Sequence, residues 1–186
     1  MHKLSVVIPF RDRHEQLEKT SKGLSRFLNH FDIPHVITVV NQLGRGQFNR
    51  GKLKNIGFLE TENESDYTVF HDVDIFPRTP VYKPANGTAF GYFGIPNYFI
   101  PLAGETDWAL TVCKPAQRAA GCIFKITNTR FRKVNGFSNI YWGWGFEDMD
   151  LWRRVERSGC VIHNQGKRTS KYGSNKFCIL DSGTGW

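Results

Sequence analysis

Three short stretches carry side chains whose types and spacing suit chemistry on a charged, polar substrate. The first is His71-Asp72-Val73-Asp74. In an extended chain, side chains two residues apart point the same way, so Asp72 and Asp74 are expected on one face. Two converging carboxylates repel each other unless a cation lies beside them. Oxygen donors suit Mn2+ or Mg2+, and such an ion neutralises a departing diphosphate. Taken alone, an Asp pair at a strand end is more often a turn or helix-cap pair. The second stretch runs from Tyr141 through Trp142-Gly143-Trp144-Gly145-Phe146 to Glu147-Asp148-Met149-Asp150. Gly143 and Gly145 let the backbone turn tightly, and Trp142 and Trp144 offer flat faces for a sugar ring. Glu147 and Asp148 then open a helix, where acids also complement the helix dipole. The dipole accounts for each acid singly but not for the Trp-Gly-Trp-Gly approach. The third stretch is Pro9-Phe10-Arg11-Asp12-Arg13, whose forked guanidinium donors can grip a phosphate or a base edge. Salt bridging is an equally good account of either arginine alone.

The elements that must position these residues can be read from hydrophobic periodicity. Leu4-Ser5-Val6-Val7-Ile8-Pro9 is a short apolar run, expected to be a buried strand. From Arg13 to about Asn29, Leu17, Leu24, Phe27 and Leu28 form a helical stripe. Val36 to Val40 reads as a second strand, Asn49 to about Glu60 as a second helix and Tyr67 to Phe70 as a third strand. Strand, helix, strand, helix, strand is the signature of a parallel sheet with crossover helices. Ligands of such sheets lie at the carboxyl ends of the strands, where Arg11 and the Asp72-Val73-Asp74 run both fall. Beyond Pro77 the pattern thins, with strand-like pieces at Ala89–Tyr92 and Ala109–Val112. Cys122 to Thr127 reads as another strand, and Asn128 is expected to cap a short helix ending before Gly136. Glu147 to Arg157 is a helix with Leu151 and Val155 one turn apart and Gly159 just past its end. After His163 no periodicity is visible.

Composition narrows the class. Lys and Arg exceed Asp and Glu by 25 to 17, so the surface attracts anions. No Lys/Arg run exceeds two residues and no nucleic-acid motif is present, so no nucleic-acid partner is expected; a sugar nucleotide fits the charge. Cys113, Cys122, Cys160 and Cys178 have no zinc-knuckle spacing; four cysteines could form two bridges, and a mixed set of buried free thiols is the plainer expectation. Nothing resembles a signal peptide or a membrane span, so a soluble, cytoplasmic chain of one domain over residues 1–186 is expected.

Taken together the stretches resemble the β-1,4-galactosyltransferase family. Pro9-Phe10-Arg11-Asp12-Arg13 is similar to its PFRxR segment. Asn41-Gln42 and Phe48-Asn49-Arg50-Gly51-Lys52-Leu53-Lys54-Asn55-Ile56-Gly57-Phe58 resemble its NQ…FNRAxLxNxGF block. Asp72-Val73-Asp74 matches its DVD, and Asn135-Gly136-Phe137 with Trp142 to Asp150 matches its NGF…WGWGxEDxD run. The blocks follow the family order from about Leu4 to Gly159. Chondroitin-type N-acetylgalactosaminyltransferases share the DVD and WGWGxED features.

The resemblance implies a GT-A-like α/β domain with a mostly parallel, Rossmann-like sheet flanked by helices. It also implies inverting transfer of galactose or N-acetylgalactosamine from a UDP-sugar donor to a saccharide acceptor, with Mn2+ (or Mg2+) as cofactor. By the same resemblance, Asp74 would ligate the metal, with Asp72 and Val73 near the nucleotide. Pro9, Arg11, Arg13, Phe48 and Arg50 would hold the UDP-sugar. Trp142, Gly143, Trp144, Gly145 and Glu147 would meet the sugars, and Asp148 would be the general base. The family supplies a metal-binding His further along, near Phe177, where this chain has none; His163 is the candidate in its place. Arg118-Ala119-Ala120-Gly121 replaces the family's Tyr-Phe-Gly-Gly near the donor sugar and leaves the donor open. Two rivals are a non-catalytic carbohydrate- or UDP-binding relic and a DxD phosphohydrolase with Asp72 as nucleophile. The latter needs Thr or Val where Phe76 stands, and leaves the Trp-Gly run unexplained.

Overall fold

The computed structural model describes residues 2–77, 108–111, 120–164 and 177–179. Strand β1 (Leu4–Phe10) is the hydrophobic centre, with every residue buried. It pairs in parallel with β2 (His35–Asn41) on one side and β3 (Tyr67–His71) on the other, Leu4 lying opposite His35 and Tyr67. Helices α1 (His14–His30) and α2 (Arg50–Thr61) make the crossovers.

Alternation along β1 builds two cores. Leu4, Val6 and Ile8 meet Leu24, Phe27 and Leu28 of α1, together with Tyr67 and Val69. Val7, on the other face, joins Phe58 of α2, Phe70 and the later elements. Gly57 is what lets α2 approach β1 and β2, since a Cβ there would stand 2.4 Å from Val7 Cγ1 and 2.9 Å from Val40 Cγ2.

Past β3 the sheet changes hand. After β4 (Ile75–Pro77) and β5 (Trp108–Thr111), β6 (Ile123–Thr127) runs antiparallel to both β3 and β5, and β7 (Val161–Asn164) is parallel to β5. The order is β2-β1-β3-β6-β5-β7, with β4 and β8 (Phe177–Ile179) forming a separate antiparallel pair. The α/β expectation holds, and the sheet is mixed: its parallel half is the periodic first part of the chain, and β6 enters from the opposite direction. Helices α3 (Asn128–Lys133) and α4 (Glu147–Arg157) close the second core through Phe131, Leu151 and Val155.

Several local expectations change. Thr127, not Asn128, is the N-cap of α3; its hydroxyl accepts from the Arg130 N–H, while Asn128 reaches back to Thr68, Glu62 and Ser65. β4, β7 and β8, of three or four residues each, have no counterpart among the expected elements. The strand-like piece at Ala89–Tyr92 lies outside the described residues.

Candidate active site

A cleft of about 680 Å³ opens at the carboxyl ends of β1, β2 and β3. β1 delivers Pro9, Arg11 and Arg13 to it, and the loop into α2 delivers Gln47 and Phe48. Arg50 enters from the first turn of α2, Asp72, Val73 and Asp74 from the end of β3, and Gly143 and Trp144 from the approach to α4. Three separately read stretches therefore share one wall, as the strand-end rule requires.

Backbone and amide contacts hold these loops. Asn49 caps α2, its Oδ1 accepting from the Lys52 N–H at 2.8 Å while its Nδ2 donates to the Asn139 carbonyl at 2.8 Å. Gln42 Oε1 accepts from the Asn49 N–H at 2.8 Å. The Gly143 N–H donates to the Phe48 carbonyl at 2.8 Å, pinning the Trp-Gly-Trp-Gly loop against the cleft. Gly143 does so at φ +82, a conformation that suits glycine. Asn55 accepts from the Phe137 N–H and donates to its carbonyl, tying α2 to the Asn135-Gly136-Phe137 turn.

The two aspartates are not in an extended run. β3 ends at His71, and residues 73 and 74 turn, with the Ile75 N–H donating to the Asp72 carbonyl at 3.4 Å. They still reach the same cleft, each with its own cations. Asp72 Oδ1 lies 3.4 Å from Lys54 Nζ and 3.6 Å from Arg50 Nε. Asp74 Oδ2 lies 3.0 Å from Arg13 Nη1. Burial raises the Asp72 carboxyl, but Arg50 and Lys54 outweigh it and hold the group below its ordinary value. Asp74 is pushed the other way, by burial and then by the neighbouring Asp72, despite Arg13. A carboxylate raised in this way is what a divalent cation relieves, so the oxygen donors suit a hard metal ion. Among the described residues no group of three or more His, Cys, Asp or Glu is arranged as a metal cluster.

His71 turns away from the cleft, as alternation requires. It is fully buried, donates from Nδ1 to the Asp72 carbonyl at 2.8 Å and is depressed to about 4 by burial. His163 lies on β7, three strands from β3, roughly 14 Å across at ordinary strand spacing, so the sheet order does not bring it to Asp74. The neighbourhood of Phe177, by contrast, is carried to the exit of the DVD turn by the β4–β8 pairing, with Pro77 opposite Phe177.

At the start of α4, Glu147 is 4% exposed and pairs with Arg50 Nε at 3.2 Å, so it faces inward rather than into solvent. Asp148 beside it is half-buried; its Oδ1 accepts from the Met149 N–H at 2.7 Å, and its carbonyl from the Ala120 N–H at 3.0 Å. Asp150 is held by Arg154 at 2.6 Å, a structural pair within one helix turn. Trp142 and Trp144 are exposed, Trp144 at 76%, leaving flat apolar faces beside the cleft. Gly145 lies between them and the helix at φ +99.

Sequence reasoning did not single out Lys54. It is fully buried, one turn after Arg50 on the same face of α2, and its Nζ stands 5.3 Å from the Phe137 ring centroid. The signal was the i, i+4 spacing of two cations on the face of α2 that also carries Gly57 and Phe58. Arg11 sits with its guanidinium carbon 5.2 Å over the Phe48 ring and donates to the Gly46 carbonyl at 2.5 Å.

Among the described residues no helix is long and apolar enough to cross a membrane. That carries no information on compartment, so the cytoplasmic expectation gains no support from it.

Two family models match, the N-terminal region of glycosyl transferase group 7 over residues 1–82 and the N-terminal domain of galactosyltransferase over 109–176. β-1,4-Galactosyltransferase 7 of Homo sapiens is 34% identical over 174 residues, 92% of this chain and 49% of the relative. β-1,4-Galactosyltransferase 5 of Sus scrofa is 35% identical, again over 92% of this chain and over 42% of the relative. The chain thus spans about half the length of the curated relatives it matches. The catalytic domain of Drosophila β-1,4-galactosyltransferase 7, solved with xylobiose, superposes with TM-score 0.77 at 28% identity over 97% of this chain and 71% of that one. A mutant of the same enzyme, solved with manganese, UDP-Gal and xylobiose, gives 0.76. A mannosyltransferase of Pyrobaculum calidifontis, TM-score 0.58 at 12% identity, shares the fold. By its matched models and relatives, the chain belongs to glycosyl transferase group 7, the family of the β-1,4-galactosyltransferases.

Proposed function

We propose that this chain is a UDP-sugar-dependent galactosyltransferase that works by inversion on a saccharide acceptor. The observation that carries it is the cleft that gathers Arg11, Arg13, Arg50, Asp72, Asp74 and Trp144 at the parallel strand ends. Manganese, UDP-Gal and xylobiose bound together by the Drosophila relative support the ligand classes. Residues 1–186 would act as one catalytic unit, since the β3–β6 pairing joins the two matched segments in one sheet.

Pro9, Arg11, Arg13, Phe48, Arg50 and Val73 would line the donor, the arginines facing the diphosphate through charge-assisted hydrogen bonds. Asp74, with Asp72 beside it, would hold Mn2+ (or Mg2+), which supplies charge neutralisation at the diphosphate when bound. Trp142, Gly143, Trp144 and Gly145 would present the acceptor. Glu147, fixed by Arg50, would position sugar hydroxyls. Asp148 would take the proton from the acceptor hydroxyl as its oxygen bonds to the anomeric carbon. The bond from that carbon to the diphosphate oxygen breaks, and UDP leaves with the electron pair.

The test is a screen of UDP-galactose, UDP-N-acetylgalactosamine and UDP-glucose with saccharide acceptors, reading UDP release and product linkage. Acceptor-dependent UDP release from one galacto-configured donor, giving a β-linked product, is the expected result. UDP and Mn2+ binding with no transfer to any acceptor would turn the reading into that of a binding relic.

A further inference from the structure

Both carboxylates of the Asp72-Val73-Asp74 turn already have protein cations. Asp72 faces Arg50 and Lys54, and Asp74 faces Arg13. With Glu147 on Arg50, these pairs set three carboxylates against three cations. The Arg13–Asp74 pair is set apart from the rest. Its side chains are only 22% and 19% exposed, its contact is 3.0 Å, and Arg13 lines the same cleft as Pro9 and Arg11. Arg13 lies at the N-cap of α1, on a different chain segment from Arg50 and Lys54 of α2, and α1 is itself tied to the turn through Thr20, whose hydroxyl donates to the Val73 carbonyl at 2.6 Å.

We propose that Arg13 is a stand-in counter-ion for Asp74, exchanged for the divalent cation when the diphosphate arrives. This rests on the UDP-sugar reading above and adds a counter-ion exchange to it. A divalent ion alone would have to displace Arg13 and leave two uncompensated positive charges in a poorly solvated cleft. A diphosphate alone would add negative charge beside Asp72 and Asp74. With both present, Asp74 would hold the ion and Arg13 would turn its fork to the phosphates, so that each charge keeps a partner. Metal and nucleotide therefore bind as a pair, and each tightens the other by the same factor.

The experiment measures Mn2+ binding by electron paramagnetic resonance and UDP binding by titration calorimetry, each with and without the other ligand. For the wild type, UDP should tighten Mn2+ by about tenfold or more, and Mn2+ should tighten UDP equally. In Arg13→Gln, Mn2+ alone should bind roughly fivefold tighter than to the wild type, while the mutual gain falls below about threefold. Arg13→Met, which keeps most of the side-chain stem, should behave alike; circular dichroism confirms that the variants are folded. Variants that bind Mn2+ alone no tighter than the wild type, or a wild type indifferent to UDP, would overturn the exchange. The failure of the functional reading looks different: the linked Mn2+–UDP binding persists, the exchange stands, and no sugar is transferred.

Discussion

The Arg50 guanidinium stands 3.2 Å from Glu147, joining the first turn of α2 to the first turn of α4. The same Nε lies 3.6 Å from Asp72, so one side chain links the end of β3 to the helix that carries Asp148. Burial works against its charge, but Asp72, Glu147 and Asp148 more than compensate, and Arg50 is held above its ordinary value. The wall that carries Asp72 and the wall that carries Glu147 thus share an anchor.

Replacing that anchor should disturb both walls at once. Arg50→Met leaves Asp72 and Glu147 mostly buried with less positive charge nearby, and should cost about 2 kcal/mol or more in urea denaturation. UDP affinity should fall in parallel. Arg50→Lys, which keeps charge but loses the fork, should land between the two. A stability loss under about 0.5 kcal/mol for Arg50→Met would show that the pairs are not coupled to the fold.

Asp148 should reveal its role when turnover and stability are measured on the same variant. Asp148→Asn keeps the shape and the Met149 hydrogen bond, so stability should change by at most about 1 kcal/mol. Turnover should drop by roughly a hundredfold or more with UDP and Mn2+ affinity unchanged, because only the proton acceptor is lost. Retention of more than about a tenth of wild-type turnover refutes the base assignment. Glu147→Gln should differ in kind, losing stability as well as acceptor affinity, since Arg50 then loses a charged partner.

Metal dependence should localise to the DVD turn. Asp74→Ala should abolish the effect of Mn2+ on UDP binding, while His163→Ala should leave it unchanged. Weakened Mn2+ uptake in His163→Ala, read by electron paramagnetic resonance, would mean that β7 reaches the turn after all.

Lys125 gives a pH signature independent of the site. Burial in β6 depresses its ammonium to about 7 from an ordinary 10.5. Across that interval the unfolded chain binds a proton that the folded protein does not, so stability rises with pH from about 7 towards 10. Lys125→Met should therefore stabilise the fold by about 1–3 kcal/mol at pH 7, and the gain should shrink by pH 9.5. Equal gains at both pH values in urea titrations would exclude a titrating Lys125.

The sequence by itself determined whatever local periodicity encodes. The apolar runs at Leu4–Pro9 and Val36–Val40, the stripe of Leu24, Phe27 and Leu28, and the span Glu147–Arg157 each follow from nearest-neighbour pattern, and the observed elements match them within a residue or two. Strand-end placement of Arg11, Asp72 and Asp74 followed too, because a parallel alternation leaves few topologies. Tertiary structure alone decided the rest. Whether β6 runs with β3 or against it depends on where a distant segment returns, and no periodicity in Ile123–Thr127 records that direction. The pairing of Arg13 with Asp74, 61 residues away, and of Arg50 with Glu147 joins segments that are far apart in the chain. Lys54 is buried with its charge facing Asp72, because a charge can be buried once a partner waits at the other end. Burial and charge pairing are properties of the assembled chain, and that is why these contacts could not be read one residue at a time.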